Sequence, residues 1–226
     1  MKKTILSISL VALTAVSAMF ITSCSKDDTA PVITLLGDDP ATVSLNGTYI
    51  DGGATANDDK DGVVPATVSS SDVNEDLVGT YTVTYTATDK EGNEGTANRT
   101  VTVVNDAAYL EGSYQGNETD LSGPYTYVQQ NVVTASTTVN NQISMTRLGD
   151  FANNTVYMNV TGSTISLPSQ THTNVGTGTN SCDVHDRRSD GVGSIVTGGF
   201  GLLYNDQKLA PCSGSRSGVQ AAFVKQ

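Results

Sequence analysis

Residues 79–104 read Gly79-Thr80-Tyr81-Thr82-Val83-Thr84-Tyr85-Thr86-Ala87-Thr88, then Asp89-Lys90-Glu91-Gly92-Asn93, then Glu94-Gly95-Thr96-Ala97-Asn98-Arg99-Thr100-Val101-Thr102-Val103-Val104. In the first run Tyr81, Val83, Tyr85 and Ala87 share one parity, and threonines fill the other. Alternation with period two is what a half-buried antiparallel strand requires, because successive side chains point to opposite faces. Asp89–Asn93 carries turn chemistry, and Ala97, Arg99, Val101 and Val103 alternate with Thr100 and Thr102 on the way back. The stretch therefore predicts a hairpin with one apolar face.

Working outward, Val32–Leu36 and Thr42–Leu45 predict two earlier strands, separated by Gly37-Asp38-Asp39-Pro40. Past residue 105 the signals are of the same kind. Val156, Met158 and Val160 alternate, Thr161-Gly162-Ser163 turns the chain, and Ile165 and Leu167 alternate beyond it. Further strands are predicted within 124–133, 142–148, 195–204 and 219–224. After the first 23 residues no segment sustains a 3.6-residue period, and Thr, Val, Ser, Gly and Asn dominate over Leu and Lys. The fold class expected is all-β, in two units: residues 31–104, and residues 105–226 as an antiparallel meander of six or more strands or a partial barrel.

Residues 26–106 hold 15 acidic and 4 basic side chains, and residues 107–226 hold 8 and 6. The whole chain carries a formal charge of −11. Such a surface repels phosphate backbones and anionic headgroups, so nucleic acid is excluded as a partner and a polybasic membrane patch is absent. Cations, neutral glycans and other surface proteins remain.

Lys2 and Lys3 precede an uncharged, mostly apolar run from Ile5 to Ile21, which ends at Ile21-Thr22-Ser23-Cys24. Residues 1–23 resemble a bacterial lipoprotein signal peptide. The resemblance implies cleavage before Cys24, diacylglycerol on its sulfur and a further acyl chain such as palmitate, which together would hold the chain on a membrane. Ser25-Lys26-Asp27-Asp28 is similar to the surface-export signal of Bacteroidetes lipoproteins, and Asp28-Thr29-Ala30 to an O-glycosylation site of that phylum. The implied location is the outer membrane, lipid-anchored and cell-surface exposed, with residues 24–30 as an acidic tether.

Five motifs in order carry a second resemblance: Pro31-Val32-Ile33-Thr34-Leu35, Tyr49-Ile50-Asp51-Gly52-Gly53-Ala54-Thr55-Ala56, Asp58-Asp59-Lys60-Asp61-Gly62, Gly79-Thr80-Tyr81 and Asp89-Lys90-Glu91-Gly92-Asn93. Residues 31–104 are similar to the bacterial surface Ig-like module of pesticidal crystal proteins and Bacteroidetes lipoproteins. That implies a β-sandwich of about seven strands, used as a spacer or adhesive unit, and it does not imply catalysis. Residues 105–226, opening on Gly112-Ser113-Tyr114, resemble more loosely the C-terminal β domains that follow such modules, some of them like half of a lipocalin-type barrel.

Three groups of residues are candidate sites. Asn57, Asp59 and Asp61 before Gly62 match the first half of a calcium loop, but Val68 stands where the closing Glu belongs, so a calcium ion would need help from Asp89 or Asn93. Tyr125 and Tyr127, two apart on a strand, form either a glycan-stacking platform or part of the core. His172, Cys182, Asp183, His185 and Asp186 form the third group. A metal site or thiol-dependent enzyme there competes with a Cys182–Cys212 disulfide, the simplest use of two thiols outside the cytoplasm. No nucleophile elbow or phosphate-binding glycine loop is present, and the chain reads as non-catalytic, a binder or a purely structural surface component.

Overall fold

This computed structural model describes residues 26–120, 123–151, 154–175, 185–210, 212 and 214–226. Cys24, Cys182 and Asp183 lie outside them. Among the described residues no helix is long and apolar enough to cross a membrane.

The first seven strands make a two-sheet sandwich. β1 (Val32–Leu35), β3 (Ala54–Asp58) and β4 (Gly62–Val64) form one sheet in the order β1-β3-β4. β2 (Ala41–Ser44), β5 (Thr67–Ser71), β6 (Gly79–Thr88) and β7 (Glu94–Val104) form the other in the order β2-β7-β6-β5, with β2 parallel to β7. The predicted hairpin is β6–β7, paired without a bulge from Gly79↔Val103 to Thr88↔Glu94. Val83, Tyr85 and Val101 are the buried centre, and Ile33, Leu35, Val43, Tyr49 and Tyr81 pack around them. Arg99 shares the inward parity and is 1% exposed. Its guanidinium donates to Asp51 Oδ1 (2.5 Å) and to the carbonyls of Leu36 and Gly53, so the buried charge is paired.

Residues 112–225 close into a barrel. The strands are β8 (Gly112–Asp120), β9 (Gly123–Thr126), β10 (Asn131–Ala135), β11 (Gln142–Thr146), β12 (Thr155–Thr161), β13 (Thr164–Val175), β14 (His185–Val196), β15 (Gly199–Lys208) and β16 (Ser215–Lys225). Each pairs antiparallel with the next from β10 to β16, and β16 then pairs with β8. β8 also pairs with β10, which removes the free edges. β9 continues the line of β10 along β8 after a break, so eight positions surround the axis. The expected meander is correct, and the expected partial barrel is a complete one. Closure follows from length: β13 to β16 run 10 to 12 residues each, enough for the staggered, tilted register that a barrel needs.

The two units meet through a fixed junction. Asn105 is buried, its side-chain amide donates to the carbonyls of Ser136, Val139 and Gln142, and its Oδ1 accepts the amides of Ala107 and Asn141. Across the same junction Val78 N donates to Thr137 O (2.9 Å) and Ser44 Oγ to Asp106 Oδ1 (2.8 Å). One side chain thus ties the β7–β8 connection to the β10–β11 loop. Asn105→Ala is expected to lower stability by about 2–3 kcal/mol, because several buried backbone groups lose their partner at once. Chemical denaturation of the wild type and variant measures the difference.

Candidate functional site

Along the barrel strands the inward parity changes chemistry from one end to the other. On β15 it runs Phe200, Leu202, Tyr204, Asp206, and on β8 Tyr114, Gly116, Glu118. The apolar end is filled by an aromatic group in which Phe200 and Phe223 stack at 5.0 Å and Tyr114 tilts onto Phe200 at 5.2 Å. It is a packed core.

At the other end is a buried ionic network. Asp206 accepts from Arg187 Nε (2.9 Å) and from the Arg187 Nη2 atom as a forked pair, and Ser189 Oγ reaches Oδ1 at 3.3 Å. Glu118 accepts from the hydroxyls of Tyr127 (2.9 Å) and Tyr204 (2.7 Å) and from Arg216 Nη1 (2.5 Å). Phe151 lies across the arginines, with the Arg187 guanidinium 4.2 Å from its ring centre. Burial opposes the charge on Arg216, but Tyr204, Glu118 and Asp206 outweigh it and raise its pKa. Burial, then Tyr204 and Glu118, drives the Tyr127 phenol far above its ordinary range. The network pairs its carboxylates with the two arginines, although Arg216 Nε has no hydrogen-bond partner among the described residues, and it explains how the barrel holds its charged end.

His172 stands apart in this network. It is 9% exposed, and among the described residues its Nε2 has no hydrogen-bond partner. Burial lowers its pKa from the ordinary 6.5, opposed by the carboxylate of Asp206. A base whose folded pKa is depressed takes up its proton more readily when unfolded, so stability rises with pH through that interval. The His172 contribution is therefore complete above about pH 6.5 and is lost as pH falls from there towards the folded value. His172→Gln is expected to flatten this limb of the stability–pH curve, as read by denaturant midpoints between about pH 7.5 and 5.

Tyr125 and Tyr127 have different fates. β9 ends at Thr126, so the two rings do not share a strand face. Tyr127 is 2% exposed and belongs to the core, its ring edge on Phe223 at 5.9 Å. Gly116 makes room for it: a Cβ there would meet the Tyr127 ring at 2.5 Å. The reading of Tyr127 as half of an exposed platform is corrected. Tyr125 is 45% exposed and lines an open groove of about 570 Å³ on the outside of the barrel, with Asn117, Thr119, Thr126, Gln220 and Ala222. Its hydroxyl donates to Asp150 Oδ2 (2.7 Å), a bond that raises the pKa of the phenol. Burial pushes the Asp150 carboxyl up, but the Val128 amide, Tyr125 and Arg147 outweigh it and leave its pKa lowered. The ring is thus held in place.

The calcium-loop residues are not gathered as the spacing suggested. β3 buries Ala56 and Asp58, leaving Asn57 and Asp59 exposed. Asp61 accepts from Lys90 Nζ (2.5 Å) and from the Lys90 amide (2.8 Å). Among the described residues the acidic groups close enough to share a metal are both built on Asp27. Of the third candidate group, His172 is placed opposite Arg187 on β13–β14, and His185 lies on β14 opposite Val175. Cys212 is buried and disulfide-bonded. Cys182 lies outside the described residues, so its pairing with Cys212 stays a proposal.

No curated protein matches the chain. Among solved structures, a lipoprotein from Bacteroides thetaiotaomicron aligns at 12% identity and a TM-score of 0.31, over 87% of this chain and all of the other. A carbohydrate-binding module in complex with GlcNAc, solved with INT domains of Clostridium perfringens ZmpB, aligns at 16% identity and a TM-score of 0.28, over 86% of this chain and 48% of the other. Both scores are too low to establish a common fold. The sequence of residues 33–103 matches the family described as bacterial surface protein, Ig-like domain. The two-sheet, seven-strand sandwich of this segment agrees with that match.

Proposed function

We propose that this chain is a non-catalytic, lipid-anchored surface protein whose Ig-like domain acts as a fixed spacer for a glycan-binding barrel. The anchor would be Cys24 and the location the outer membrane, facing outward. The observation that carries the binding reading is the groove at Tyr125. An exposed ring, oriented by Asp150, borders amides and hydroxyls from Asn117, Thr119, Thr126 and Gln220. A sugar offers an apolar face to stack on a ring and hydroxyls to exchange with such groups. The acidic chain argues for a neutral glycan over an anionic one.

The hydrogen bonds of Asn105 support the spacer role, since they fix the barrel relative to the sandwich where a flexible linker would let it swing. Mass spectrometry of the protein from its membrane is expected to find acyl chains on Cys24 and a Cys182–Cys212 bridge, and protease treatment of intact cells is expected to shave the protein. Tyr125→Ala is expected to weaken binding of a recognised glycan about tenfold, a loss of about 1.4 kcal/mol. The folding midpoint should stay within about 2 °C of the wild type. Unchanged affinity in the folded variant would sink the groove assignment.

A further inference from the structure

Residues 27–31 do not leave the Ig-like domain as a loose tail. Asn93 Nδ2 donates to Asp27 O (3.0 Å), and Pro31 O sits so close to β7 that a Cβ on Gly95 would meet it at 2.0 Å. The Asp27 side chain is only 3% exposed. Its Oδ1 accepts the Thr29 amide (3.1 Å) and lies 3.1 Å from Lys60 Nζ, while its buried Oδ2 has no donor among the described residues. Asp58, at the end of β3, repeats the pattern. It is 2% exposed, its Oδ1 accepts the amides of Lys60 (2.9 Å) and Asp61 (2.8 Å), and its buried Oδ2 also has no donor.

Asp27 and Asp58 belong to one cluster. Asp27, Asp58 and Asp59 each place a carboxylate oxygen within 4.8 Å of the others, and Asp27 does the same with Asp89 and Glu91. Asp89 is held from behind by Asn93, whose amide and side chain donate at 2.7 and 2.6 Å. Five carboxylates converge from three separate segments, and Lys60, whose side chain is 42% exposed, is the cation seen to pair with Asp27. Burying an ionised carboxylate without donors is costly unless a cation compensates it.

We propose that this cluster is a calcium site, with Asp27 as the shared ligand between Asp58 and Asp59 on one side and Asp89 and Glu91 on the other. The ligand atoms are all carboxylate oxygens, which suits a hard cation and disfavours zinc. They come from a strap, a strand end and a hairpin turn, an irregular set that calcium tolerates and magnesium, with its strict octahedron, does not. The pattern Asn57-Asp59-Asp61 has the right chemistry in the wrong phase: Asp58 is the inward residue. Because Asp27 lies three positions after Cys24, the ion would clamp the domain to the start of its tether. That consequence rests on the lipid-anchor reading, but the site itself does not.

The test is a calorimetric titration of calcium chloride into the chelator-treated full chain, paired with thermal melts. The expected Kd is about 0.1–1 mM, in the range of extracellular calcium modules. At about 10 mM calcium the Ig-like transition should rise by roughly 5–10 °C. Asp27→Asn keeps the shape of the strap and is expected to weaken binding at least about tenfold, as is Asp58→Asn, while Lys60→Met tightens it. Asp28→Asn, an exposed neighbour paired with Lys26, should bind as the wild type does. No heat up to about 10 mM calcium, an equal shift with magnesium, or wild-type affinity in folded Asp27→Asn would overturn the site.

Discussion

Replacing Asp206 with Ala is expected to lower the unfolding free energy of the barrel by about 3–5 kcal/mol, the range for breaking a buried ion pair from one side. Asp206 is 2% exposed and Arg187 3%, and the forked bonds between them are the innermost of the network. The substitution takes from Arg187 its paired carboxylate and from Ser189 its acceptor, and leaves Arg216 with one fewer anion at 3.9 Å. Removing both partners is a different experiment. Arg187→Met with Asp206→Leu should cost far less than the single change, because no buried charge is left facing apolar neighbours. Urea denaturation followed at pH 7 separates the two. A loss under about 1 kcal/mol for Asp206→Ala would mean that water reaches the pair and that the end of the barrel is open.

The second large effect is at Tyr127. Its hydroxyl donates to Glu118 Oε2 (2.9 Å) and accepts the Gly149 amide (2.8 Å), so one group links β8 to the turn after β11. Its ring fills the space above Gly116 and meets Phe223. Tyr127→Ala combines a large cavity with the loss of both hydrogen bonds and is expected to cost about 3–5 kcal/mol. Tyr127→Phe isolates the polar part, about 1–2 kcal/mol. Tyr125→Ala should change stability by less than about 1 kcal/mol, since its ring is largely at the surface. Equal costs at the two positions would contradict the division into one core tyrosine and one exposed one.

Val83, Tyr85 and Val101 were legible because their strands pair in unbroken register with one wet face, the condition under which alternation reports burial. Arg99 shows the limit of that reading. Parity put it inside, but nothing in the spacing revealed that Asp51 and two carbonyls would meet it there. β14 was missed, and the strand expected over residues 195–204 runs across the turn that separates β14 from β15. The inward positions of β14 are Arg187, Ser189, Gly191 and Gly193, and a strand that buries charge and glycine carries no apolar period. Gly193 is small because a Cβ would meet Gly201 O at 2.0 Å on the next strand. At Tyr125 and Tyr127 the two-residue spacing misled because the strand stops between them. At Asp58 the residue types were right, and the register of β3 decided which of them faces inward.

The most direct test of the central claim is a glycan-array screen of the folded full chain beside its Tyr125→Ala variant, each checked for an intact thermal transition. The account predicts reproducible binding of neutral glycans by the wild type and its loss in the variant, with folding unchanged. A folded wild type that binds no glycan, or a variant that binds as well as the wild type, would contradict it.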